Sequence, residues 1–274
     1  MYQHIEEMIS QMTGSEIIRF KNKIGLYYFM FVFVMLGLYV YFATLEIPFL
    51  YWLALLVIPI SFVFFLPILS CIDRGYKKIL SDHLDLDRYQ EIIEKNSFYQ
   101  SGRIGSKNKG EKSFYYINIA YLQFLRGNFS QSLEALSQFN VTDFKSYKQQ
   151  NIVFYYYLEL LNKILLGEPY DLQFYLDKMS SQIFKVEKQK IIVQHQLNTA
   201  RALDKIITHH EPCDYFETSY AGSKIDKVLE MYYAGLNRYN QGMYKKALEF
   251  FSAIASENQA LFVVQKARKY LEES

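Results

Sequence analysis

The chain has 274 residues, with 30 lysines and arginines against 28 aspartates and glutamates, and a formal net charge of +2. That balance leaves no chain-wide basic field, so no nucleic-acid partner is expected. Two cysteines far apart in sequence, Cys71 and Cys213, offer no disulfide framework and fit a reducing compartment, while five prolines and twelve glycines are too few for a turn-rich β fold.

Residues 1–23 form an arm. Ile5, Met8, Ile9 and Met12 recur at helical spacing with Glu6 and Glu7 on the other side, until Thr13 and Gly14 interrupt. The arm is expected to be a short amphipathic helix, lying at a membrane interface or packed on the soluble part of the chain.

Residues 24–45 contain 22 positions without a charge and residues 47–72 another 26, separated only by Glu46. At about 1.5 Å per residue each run exceeds a hydrocarbon core of roughly 30 Å, so both are expected to span a bilayer. The short link at Glu46 and Pro48 makes 24–72 a transmembrane hairpin. Arg19, Lys21 and Lys23 precede the first run, Arg74, Lys77 and Lys78 follow the second, and no basic residue lies between. Basic flanks stay inside, which places both termini in the cytoplasm of a multi-pass protein of the plasma membrane, read as a bacterial cell membrane. Pro59 and Pro67 fall within the second run, where neighbours can satisfy the freed backbone groups. Neither run contains an Asp, Glu, Lys, Arg or His, which argues against an ion path through the hairpin alone.

Residues 73–112 read as juxtamembrane helices followed by a basic loop. The stretch 105–113 approaches a phosphate-binding loop, but Glu111 separates glycine from lysine and no strand precedes it, so no nucleotide site is expected. Arg103, Lys107, Lys109 and Lys112 in the same stretch suit contact with anionic lipid headgroups at about 1 kcal/mol per charge. A solvated linker is the plainer reading of those residues.

From 113 to 274 apolar residues recur at spacings of three and four. Val193, Leu197, Ala200, Leu203 and Ile207 form one stripe, and Ile225, Val228, Leu229, Tyr232, Leu236 and Tyr239 another. Helices are predicted at 76–84, 87–97, 113–126, 129–139, 148–166, 169–180, 186–209, 212–221, 223–240, 243–255 and 258–272, with no strand. Gly127, Gly167 and Gly242 close helices, Asp87 and Asn128 open them, and Pro169 and Pro212 suit first helical turns. Turns near 127, 167, 210 and 242 are spaced by 40, 43 and 32 residues, the period of a helical-hairpin repeat.

Gly235, Tyr239, Gly242, Tyr244, Ala247, Leu248 and Phe251 in the last hairpin resemble the tetratricopeptide repeat at its small-residue, turn, aromatic and alanine positions. Ala120, Gly127, Phe129, Leu133 and Leu136 resemble it more distantly, with Ser132 where the family prefers alanine. The chain is thus expected to be all-α: the transmembrane hairpin, then, as the resemblance over roughly 113–255 implies, a TPR-like α-solenoid spanning 113–274 with a C-terminal capping helix carrying Leu261, Val264 and Leu271. It also implies an inner face lined by Phe114, Ile117, Tyr121 and Phe124 and by Tyr232, Leu236 and Asn240, suited to a protein or peptide partner.

His209, His210, Glu211, Cys213 and Asp214 are the one dense group of possible metal ligands. Their spacing matches no zinc motif, and a polar helix end explains them, so no metal is expected. No nucleophile elbow or cofactor fingerprint is present, and neither catalytic residues nor a cofactor nor a small-molecule substrate is expected. The reading is a membrane-tethered scaffold or adaptor rather than an enzyme. Two alternatives stand beside it: an accessory or immunity subunit of a membrane transport or secretion complex acting through its hairpin, and an enzyme with a site dispersed over the helices. A scaffold should show a broad groove, an enzyme a deep pocket with converging polar groups.

Overall fold

The computed structural model describes residues 2–96, 109–143, 148–218 and 222–274. Among them the chain is helical, with no strand: α1 (Tyr2–Gln11), α2 (Gly14–Thr44), α3 (Pro48–Ser81), α4 (Leu86–Asn96), α5 (Lys109–Leu125), α6 (Phe129–Ser137), α7 (Lys148–Leu166), α8 (Leu172–Ser180), α9 (Glu187–Leu203), α10 (Tyr215–Thr218), α11 (Lys224–Asn240), α12 (Tyr244–Ile254) and α13 (Phe262–Glu272). The chain divides into two compact units, residues 1–83 with 87–96, and residues 84–86 with 97–274.

In the first unit α2 and α3 pack side by side, and both are long and apolar enough to cross a membrane. Tyr28 stacks on Phe65 with ring centroids 4.1 Å apart, while Phe29, Phe33, Phe49 and Val63 stand at least two-thirds exposed on the outer faces. Thr13 starts α2 with a capping box: its hydroxyl accepts from the Glu16 N–H and the Glu16 carboxylate accepts from the Thr13 N–H. α4 supplies a second cap, because Glu91 accepts from the Gly14 N–H at 3.2 Å and from the Ser15 hydroxyl at 2.9 Å. Hydrogen bonds from Lys95, Ser15 and Gly14 hold the Glu91 carboxyl below its ordinary value.

α1 packs on the C-terminal part of α3. Ile9 is fully buried where Gly75 leaves room for it: a Cβ on Gly75 would lie 2.8 Å from the Ile9 side chain. The expected faces of this helix need correction. Met8 is 37% exposed, whereas Glu6 turns inward to meet Arg74 Nε at 2.5 Å and Lys78 at 3.8 Å. The basic residues in the C-terminal part of α3 draw the acidic side of α1 toward them.

In the second unit the helices pack as successive hairpins. Gly127, Gly167 and Gly242 take φ of +81°, +68° and +73°, and the N–H of the residue after each donates back across the last turn, from Asn128 to Gln123, Glu168 to Lys163 and Met243 to Arg238. These three stops match the sequence reading because only a residue free of Cβ strain enters that region cheaply.

Three starts differ from it. Asn128 makes no side-chain cap; its amide instead donates to Gln123 Oε1. Pro169 and Pro212 precede their helices rather than opening them. Asp171 caps α8 by accepting from the Phe174 N–H, and Tyr170 reaches from the intervening stretch to the buried Asp204. Asp204 opens a π turn, Asp204–Thr208, where an unbroken helix was expected. Burial and that carboxylate push the Tyr170 phenol up to about 12.

α13 buries one face and leaves Gln265, Lys266, Lys269 and Glu272 exposed. Leu261, Phe262, Val263, Val264 and Ala267 are all buried. Phe262 sets its edge against Phe124 (5.8 Å), Phe129 (5.1 Å) and Tyr232 (6.1 Å). The last helix thereby meets the first hairpin of its unit, because three rings gain more by surrounding Phe262 than it would by facing water.

Candidate functional site

Five helices of the second unit surround a cavity of about 810 Å³. α7 gives Phe154, Tyr157, Leu158 and Leu161, residues that share one helix face at spacings of three and four. α11 gives Asp226, Glu230 and Tyr233 from a second such face, α9 gives His195 and Thr199, α5 gives Tyr121 and Phe124, and α10 gives Tyr215 and Phe216. At the rim, Lys188, Ile191 and Ile192 are exposed.

Seven phenylalanine and tyrosine rings stand in the walls. Tyr121 meets Phe154 edge-on at 5.4 Å, and Phe216 lies 5.3 Å from Tyr233. Within this apolar wall polar groups converge. The Tyr215 hydroxyl lies 2.8 Å from His195 Nδ1, and His195 Nε2 lies 3.4 Å from Glu230 Oε1. Glu230 is 7% exposed. His195 thus stands between the Tyr215 hydroxyl and the Glu230 carboxylate, with one ring nitrogen toward each. The Tyr233 hydroxyl is buried and has no hydrogen-bond partner among the described residues. Burial raises the phenols of Tyr157, Tyr215 and Tyr233, which therefore stay neutral near pH 7.

Asp226 is held at the start of α11. The Ser223 hydroxyl donates to Asp226 Oδ2 at 2.6 Å and accepts from the Asp226 N–H. α10 is tied beside it by an ion network: Glu217 meets Arg238 Nε at 2.5 Å and Lys246 at 2.9 Å, and Asp214 meets Arg238 at 3.1 Å.

The sequence-derived inner-face residues do not share one surface. Tyr121 and Phe124 border the cavity. Ile117 and Tyr232 are core residues, Tyr232 against Phe251 and Phe262. Phe114 is 49% exposed, Leu236 is half-buried, and Asn240 donates its side-chain amide to the Ile206 carbonyl. Of the basic residues, Arg103 and Lys107 lie outside the described residues, as do positions 105–108 of the stretch 105–113; Lys109 begins α5, and Lys112 is exposed with its ammonium 5.7 Å from the Tyr116 ring. Among the described residues no three His, Cys, Asp or Glu side chains converge as metal ligands, and His209 sits instead 3.4 Å from Asp204.

Sequence reasoning missed His195, Tyr215, Glu230 and Tyr233 as a group. His195 and Glu230 carry no motif, and 35 positions separate them; only the packing of α9 on α10 and α10 on α11 joins them. No family model, no curated protein and no solved structure matches the chain.

Proposed function

We propose that the chain is a membrane-tethered adaptor, with α2 and α3 crossing the bilayer as a hairpin, both termini cytoplasmic, and a TPR-like helical domain that holds a protein partner near the membrane. The observation that carries this reading is the outer surface of α2 and α3. Phe29 and Phe33 on one helix and Phe49 and Val63 on the other are exposed over lengths free of charge, and water would penalise such a surface. Lys21 and Asp73, 3.9 Å apart, mark the polar end of the pair. Tethering raises the local concentration of a bound partner, so modest contacts suffice for capture.

The test is labelling of intact cells with a membrane-impermeant thiol reagent. Glu46→Cys should react from outside, and the native Cys213 should react only after permeabilisation. Reaction of Cys213 in sealed cells overturns the topology. Crosslinking in native membranes should then join the helical domain to one defined protein, and none at native abundance removes the adaptor role. A second reading, that the helical domain acts on a small ligand, is favoured by one observation, the polar cluster inside its cavity.

A further inference from the structure

We propose that the cavity of the helical domain binds an organic cation: a protonated amine on an apolar, ring-bearing body. The proposal does not depend on the membrane reading, since every group it uses lies within residues 121–233.

Size sets the first bound. About 810 Å³ lies within the roughly 300–1,000 Å³ of small-molecule sites, enough for a compact polycyclic or ring-and-chain molecule. Charge sets the second. Asp226 and Glu230 stand one helical turn apart on the same face of α11, and both border the cavity. The one lysine on the wall, Lys188, is exposed at the rim. The phenols further in are neutral, and even an imidazolium at His195 would set one positive charge against two carboxylates. The interior field is therefore negative and opposes an anion. A carboxylate as buried as Glu230 is costly to desolvate, and a ligand ammonium would offset that cost where a neutral ligand would not.

Ring faces set the third. Phe216 and Tyr233 flank the carboxylate's own helix face, and a cation over such faces gains further attraction in a desolvated site. The unpartnered Tyr233 oxygen is the independent mark of a ligand, because a buried hydroxyl without a partner is unfavourable and an ammonium N–H is a donor it can accept. A neutral apolar ligand would fill the space and leave that oxygen unserved.

Calorimetry on the full chain in nanodiscs of zwitterionic lipid, with empty nanodiscs subtracted, tests this with three probes of matched shape: 1-naphthylmethylammonium, 1-naphthylmethanol and 1-naphthylacetate. The ammonium should bind at least tenfold tighter than the alcohol, and the carboxylate most weakly. Glu230→Gln should bring the ammonium to the level of the alcohol and leave the alcohol unchanged. Tyr233→Phe, which keeps the ring and hence the packing, should weaken the ammonium alone by three- to tenfold, and it serves if Glu230→Gln does not fold. Equal binding of alcohol and ammonium, preference for the carboxylate, or no binding to a folded sample each overturns the proposal.

Discussion

The ring of Phe251 lies directly on the bare Cα of Gly235: a Cβ placed there would sit 2.5 Å from Phe251 Cε1 and 2.9 Å from Cδ1. Both residues are buried, and α11 and α12 owe their close approach to this pair. Phe251 stacks in turn on Tyr270 of α13 at 4.7 Å, so the ring has no free side toward which to move.

Gly235→Ala should therefore destabilise the protein by about 1–3 kcal/mol, although alanine is the better helix former. Thermal unfolding measures it. Phe251→Leu should cost stability alone, yet the double variant should lose less than the sum of the two. A neutral Gly235→Ala would show that the contact carries no strain.

Ser132 offers a sharper case, because it stands where the repeat this chain resembles prefers alanine. Its hydroxyl is buried, donates to the Ala120 carbonyl at 2.7 Å and accepts from Asn162 Nδ2 at 2.9 Å. Ser132→Ala, a change toward the repeat pattern, should cost about 1–2 kcal/mol by stranding a buried amide hydrogen. Chemical denaturation compares it with wild type, and a gain in stability would refute the network's role.

The Glu217 network predicts acid sensitivity with a definite sign. Burial works to raise the Glu217 carboxyl, but hydrogen bonds from Arg238 and Lys246 outweigh it, and the folded value lies below the ordinary one. Such a group stabilises the fold fully above its unfolded value, near 4.3, and loses that contribution as pH falls through the folded value. Wild type should thus lose more stability than Glu217→Gln between pH 5 and about pH 3. Parallel slopes for the two proteins over that window would refute the assignment.

In the first unit, Gly75→Leu should release α1 from α3. The added side chain meets Ile9 and, at 3.0 Å from its Cβ, the Glu6 carbonyl, which is backbone and yields little. Limited proteolysis should cut between residues 2 and 12 faster than in wild type, while α2 and α3 keep their helix content. Unchanged cleavage would place the anchorage of α1 elsewhere, in the pairs from Glu6 to Arg74 and Lys78.

What could be read from the residues alone was what chain-local physics decides. Two charge-free runs longer than a bilayer core dictate two long apolar helices. Apolar spacing of three and four fixes the remaining helices, and glycine at 127, 167 and 242 fixes where three of them stop, because no other residue takes that backbone conformation as cheaply. Proline was less informative. Pro59 and Pro67 sit inside α3, Pro169 and Pro212 lie just outside their helices, and at 169 the pull of Asp204 on Tyr170 settled on which side of the boundary the residue sits.

The candidate site was not legible, and the reason is geometric. Periodicity says that Tyr157, His195, Glu230 and Tyr233 each lie on a helix, and amphipathic pattern says which face is turned inward. Neither says which inward faces oppose one another, nor whether they close over a filled core or leave a space. That was decided when Phe262 brought the last helix to the first hairpin and the rings of α5, α6 and α11 met around it. A helix's fate is written in its neighbours three and four residues away, whereas a cavity belongs to side chains that share no stretch of sequence.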